Sequence, residues 1–152
     1  MTELATLQIG FWGHMHVATG ARTFALSSHL VFMTGLMAFF SVVIALFKDI
    51  PDVRGDALHD TDTASVRYGV RRIFWTCVWM LNAAYASATV YIATHTSGAV
   101  RLAGVAAQLG MCLLLQRRAH MTDLDWHEDV VSAYMFVWKL FYAQYLIFPC
   151  LC

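Results

Sequence analysis

Asp49, Asp52 and Asp56 stand at i, i+3 and i+7 in the stretch KDIPDVRGD, directly after a long uncharged run. On a helix of 3.6 residues per turn those positions share one face. Three carboxylates on one face repel each other, and a positive partner should compensate. A hard divalent cation suits them, because Mg²⁺ takes one or two carboxylates and completes its shell with water and phosphate oxygens. The competing reading is a solvated loop that caps the preceding run, with the aspartates as N-caps. Pro51 and Gly55 interrupt a regular helix here: Pro51 suits the first turn of a new helix, and Gly55 lets a backbone approach closely.

Other residue types with chemical potential are scattered more thinly. Lys139 lies in the middle of an apolar stretch, where an ionisable side chain marks a functional position unless it snorkels or pairs with a neighbour. Tyr134, Trp138, Tyr142 and Tyr145 form a stripe at helical spacing, which reads as packing or as one wall of an apolar cavity. Phe136 and Phe141 read as facing lipid or neighbouring helices. His14 and His16 diverge by about 200° on a helix and share no metal there. His120, Asp123, Asp125, His127, Glu128 and Asp129 have a metal-rich composition but read as a solvated loop, and the acids suit the start of the helix that follows. Cys77, Cys112, Cys150 and Cys152 lie in or at the ends of apolar runs without a CxxC pair, so they read as small core residues.

The elements that must position these residues are apolar and long. Of 152 residues, 59% are hydrophobic and 13% charged, and the mean hydropathy is +0.58. A soluble domain carries about 25% charged residues. An integral membrane protein of the all-α class is therefore expected. The charges sum to zero, so no basic footprint for nucleic acid exists. Four full spans are read at about 29–47, 73–94, 97–116 and 130–151, with a shorter apolar segment at about 4–19 as part of a further helix. Seven basic residues fall between Lys48 and Arg72 or at Arg117 and Arg118, against Arg101 alone in the connection of the opposite side. Up-and-down threading places those seven on one membrane face, a positive-inside pattern. Every acidic residue except Glu3 falls in the same two regions, so the chemistry is expected there.

At the aspartate motif the sequence resembles a known family. FFSVVIALFKDIPDVRGD, Phe39 to Asp56, is similar to the second aspartate-rich motif of the UbiA superfamily of membrane prenyltransferases, above all its plant homogentisate and flavonoid branch. SVRYG (65–69), SAYMFVWKLFYAQYLIFP (132–149) and QIGFWGHMH (8–16) resemble further stretches of that branch, so the resemblance covers nearly the whole chain. It implies a nine-helix fold, of which this chain corresponds to the C-terminal half. It implies transfer of a prenyl group from an isoprenoid diphosphate to an aromatic acceptor such as homogentisate, with Mg²⁺ as cofactor. Residue by residue, it implies a catalytic role for Asp49, Asp52 and Asp56, with Asp52 and Asp56 as the Mg²⁺ ligands and Asp49 at the preceding acidic position. Lys48 and Arg67 correspond to diphosphate-binding positions, and Lys139, Tyr142 and Tyr145 to cavity-lining positions of the last helix. A plastid membrane is the location that follows from the family.

The departures from the pattern are specific. The family's first motif, N-Q-x-x-D-x-x-x-D, has no counterpart in this chain, and no other stretch replaces it. His59 and Asp60 stand where a Phe-Gly is usual, and Gln144 stands at an acidic position of the last helix. The start, MTELATLQIGFWGHMH, has neither a basic n-region nor transit-peptide character. The expectation is one half of a prenyltransferase, complete only with a missing N-terminal half. The alternatives are a non-catalytic membrane remnant that pairs with a full-length relative, and a small transporter-like membrane subunit.

Overall fold

A computed structural model of the chain describes residues 28–53 and 63–147. Among these the structure is helical, without a strand: α1 (Ser28–Lys48), α2 (Ala64–Tyr68), α3 (Val70–His95), α4 (Gly98–Met121) and α5 (His127–Ile147). The four long helices have 21 to 26 residues. At 1.5 Å per residue each is about 30 Å or more, the thickness of a bilayer core. All four are long and apolar enough to cross a membrane. The segment at about 4–19, with His14 and His16, lies outside the described residues, as do Asp56, Cys150 and Cys152.

Each long helix buries a stripe at i, i+3, i+4 and i+7. In α1 the stripe is Met33, Leu36, Met37, Phe40, Val43, Ile44 and Phe47; in α3 it runs from Phe74 through Leu81 and Tyr85 to Ile92. α3 packs against both α1 and α4, and α5 closes the ring by packing against α1 and α4. Ring contacts set the registers. Phe47 meets Phe74 at 5.3 Å between centroids, and Phe40 meets Tyr85 at 5.4 Å, so α1 and α3 run antiparallel. Phe47 with Tyr134 and Phe40 with Phe141 do the same for α1 and α5.

Several serine and threonine hydroxyls in or at the ends of the apolar helices are satisfied locally. Ser41 donates to the Met37 carbonyl at 2.9 Å, Thr89 to Tyr85 at 2.8 Å and Thr96 to Ile92 at 2.7 Å. Such back-bonding lets a short polar side chain sit in lipid without a partner helix.

The helix boundaries depart from the spans read in the sequence where charge meets the helix ends. α4 continues past Gln116 through Arg117 and Arg118 to Met121, which places Arg118 and His120 in its last turn, where cations complement the helix dipole. α5 begins at His127, with Glu128 and Asp129 in its first turn, where anions are favoured.

Candidate functional site

α1 ends at Lys48, and Asp49 to Asp52 form a turn in which the Ile50 N–H donates to the Phe47 carbonyl at 3.2 Å. The single helical face inferred from the spacing of the aspartates is therefore not what holds Asp49 and Asp52. Proline explains it: Pro51 has no N–H to donate and disfavours α conformation in the residue before it. The turn is pinned from below by Ile50, which is 1% exposed. Asp49 is half-buried, while Lys48 and Asp52 are exposed. The two carboxylates follow the negative end of the α1 dipole, an arrangement that favours a nearby cation. Lys48, in the last turn of α1, supplies one.

Across the end of the bundle, α2 carries Arg67. Its guanidinium lies 5.8 Å from the centroid of the Tyr68 ring, within cation–π range. Gly69 joins α2 to α3 with φ +87° and ψ 143°, a conformation essentially reserved for glycine. A Cβ added there would meet open space. Gly69→Ala should therefore cost about 2 kcal/mol, all of it backbone strain. Gly98→Ala, at φ +62° in the ordinary left-handed region, should cost about 1 kcal/mol. Unfolding titrations of the two variants check that ordering.

Two hydroxyls escaped sequence reasoning. Thr63 Oγ1 and Ser65 Oγ are buried without a hydrogen-bond partner among the described residues. They precede Arg67 by four residues and two. The available signal was the position of Ser65 at the head of the SVRYG stretch.

Beneath this end lies a tier of aromatic rings: Phe47, Phe74, Trp75, Tyr134 and Trp138. Trp75 also meets His120 of α4 at 5.0 Å. Beside it a cavity of about 570 Å³ is lined by Arg71, Trp75, His120, Asp123 and Asp125 among others. The Asp125 N–H donates to Asp123 Oδ1 at 3.0 Å, so this acidic loop is held as a local turn. Among the described residues no three His, Cys, Asp or Glu side chains gather as a metal cluster.

The residues inferred from the last helix lie apart from the turn. Lys139 is exposed, Tyr142 is 58% exposed and Tyr145 is half-buried. Tyr134 to Trp138 and Trp138 to Tyr142 are in ring contact; Tyr134 and Trp138 are half-buried against the core, and the stripe reaches the outside of α5 at Tyr142. Phe141 faces inward, 3% exposed, against Phe40.

Fold and site together define a helical membrane bundle with carboxylates, cations and orphaned hydroxyls gathered at one end. No family model matches the chain, and no solved structure matches it. Curated proteins do. The chain is 42% identical to homogentisate phytyltransferase 1, chloroplastic, of Arabidopsis thaliana, over 94% of its own length and 36% of that protein's. It is 41% identical to the homogentisate geranylgeranyltransferase of Triticum aestivum, over 94% and 35%. It is 35% identical to naringenin 8-dimethylallyltransferase 2, chloroplastic, of Sophora flavescens, over 95% and 35%. Over 94% of its length the chain is thus similar to plant aromatic prenyltransferases, and it spans about a third of the length of the relatives it matches.

Proposed function

We propose that this chain supplies one side of a prenyl-transfer site, at which an isoprenoid diphosphate gives up its prenyl group to an aromatic acceptor such as homogentisate. The supporting observation is the aspartate turn held at the basic end of a bundle whose relatives are named for such transfers. Turnover would then need the remaining two thirds that the relatives possess, either on the same polypeptide or on a full-length relative. Two relatives are named as chloroplastic, which supports a plastid membrane as the location.

A divalent metal fits the residues present. Asp49 and Asp52 offer two carboxylates in one turn, and Mg²⁺ needs no more from protein when diphosphate and water fill its shell. Asp56 follows four residues after Asp52 in the sequence. Asp52 and Asp56 would hold the ion, with Asp49 beside them. Bound there, the ion would neutralise the diphosphate leaving group.

The chain's own side chains supply the rest. Lys48 and Arg67 would bind diphosphate oxygens, the lysine as a point charge and the arginine as a planar fork. The buried hydroxyls of Thr63 and Ser65 are donors of the kind an anion accepts. The aromatic tier under the turn would exclude water and turn ring faces toward an allylic cation. Lys139, Tyr142 and Tyr145 would line the cavity once the rest of the enzyme covers the outer face of α5.

The test is a graft. Residues 1–152 replace the aligned segment of the Arabidopsis relative, and membranes are assayed with homogentisate and labelled donors of several chain lengths. Prenylated product at rates within tenfold of the relative, about 1.4 kcal/mol in the barrier, is expected. A well-expressed graft without product would refute the proposal.

A further inference from the structure

The bundle interior contains a second polar feature, remote from the aspartate turn. Gln108 of α4 and Gln144 of α5 are 0% exposed, and Tyr85 of α3 is 1% exposed. Both amide atoms of each glutamine and the tyrosine hydroxyl lack a hydrogen-bond partner among the described residues. These side chains differ from the serines and threonines around them, which bond back to their own helices. Two such long amides and a phenol are rare in a core unless something satisfies them.

The register brings the three to one level. Cys112 Sγ donates to Asn82 Oδ1 at 3.1 Å, and Trp75 meets His120, so α3 and α4 run antiparallel with Tyr85 within about two residues of Gln108. Phe40 contacts both Tyr85 and Phe141, and Gln144 lies one turn beyond Phe141 on the same buried stripe. The backbone positions of the three residues thus fall within about 5 Å along the bundle axis. They lie about 22 Å from the start of α3, deep in the apolar part of the bundle.

We propose that Tyr85, Gln108 and Gln144 form an interior site for a hydroxyl group. An amide presents both a donor and an acceptor, and so does a phenol, so the complementary ligand must also both donate and accept. A hydroxyl does this and carries no charge, which suits an interior whose buried side chains, among the described residues, include no Asp, Glu, Lys or Arg. Two molecules bring that chemistry: water, or a phenol entering through the bundle. The site is independent of the diphosphate-binding role proposed for the turn.

Two readings on the unaltered chain in lipid nanodiscs test it. X-ray radiolysis oxidises side chains that sit beside bound water. If water occupies the site, Tyr85 is oxidised strongly despite its burial, whereas Phe40, in contact with it and equally buried, is spared. In the second reading, phenol and toluene are compared as additives. If a phenol occupies the site, phenol raises the thermal midpoint by about 3 °C at saturating concentration, and toluene does not. Either positive reading supports the site and identifies its occupant. In Gln108→Met and Gln144→Met the positive reading should disappear. Absence of both effects overturns the proposal, as does a phenol shift that survives in both variants with Tyr85 unlabelled. Since the first two readings use the parent chain, a variant that fails to fold does not remove the test.

Discussion

Asp52→Ala in the grafted enzyme should lower prenyl transfer at saturating donor by at least about 100-fold, equivalent to about 2.7 kcal/mol of transition-state stabilisation. Asp52 is exposed at the end of the bundle that carries Lys48 and Arg67, and Pro51 holds it in a turn rather than on a helix. A carboxylate in that position contributes little to folding, because it is solvated and has no core contacts. Its removal should leave expression and thermal midpoint close to the parent's. Loss of rate without loss of stability separates a ligand-holding residue from a structural one. Asp52→Glu, which keeps the charge but moves it by one methylene, should fall between the two. If Asp52→Ala retains more than about a tenth of the parent rate, which is 1.4 kcal/mol or less, the turn does not hold the leaving group.

Phe40→Ala should be the most damaging change within the bundle, at about 3 kcal/mol. Phe40 is 0% exposed and stands where α1, α3 and α5 meet, 5.4 Å from Tyr85 and 6.2 Å from Phe141. In lipid the transfer of apolar surface from water no longer drives packing, so the cost comes from lost contacts and the cavity left behind. That places the value at the lower end of the range for phenylalanine truncation. Phe39, its neighbour in sequence, is 37% exposed on the other side of α1. Phe39→Ala should change stability by about 0.5 kcal/mol or less. Unfolding in mixed detergent, followed by circular dichroism, checks both; equal losses would show that the α1 stripe has been assigned to the wrong face.

The sequence carried the helices well because membrane spans are written in composition. Uncharged runs such as Leu30–Phe47 are longer than a membrane-spanning strand and match the length of a helix. Helix ends were harder to read. Arg117 and Arg118 look like loop residues, yet the long arginine side chain can reach the headgroups while its backbone stays helical to Met121. Glu128 and Asp129 look like loop acids, yet they serve the first turn of α5.

At the site, residue type was legible and geometry was not. The spacing of Asp49 and Asp52 fits a helix, but Pro51 between them determines the backbone. Tyr142 belongs to a recognisable stripe and Lys139 to an apolar stretch, but neither pattern says which side is covered, and both are exposed on this bundle. The interior polar level of Tyr85, Gln108 and Gln144 was least visible. Those residues lie on three helices, and only the packing registers bring them together.

The proposed role of the turn after α1 is to hold a divalent cation against diphosphate. It is tested most directly by titrating Mg²⁺ against turnover for the graft and its Asp52→Glu variant. The claim predicts that the Mg²⁺ concentration for half-maximal rate rises by about tenfold or more in the variant, a loss of about 1.4 kcal/mol in binding the ion. Superimposable Mg²⁺ curves for the two proteins would contradict it.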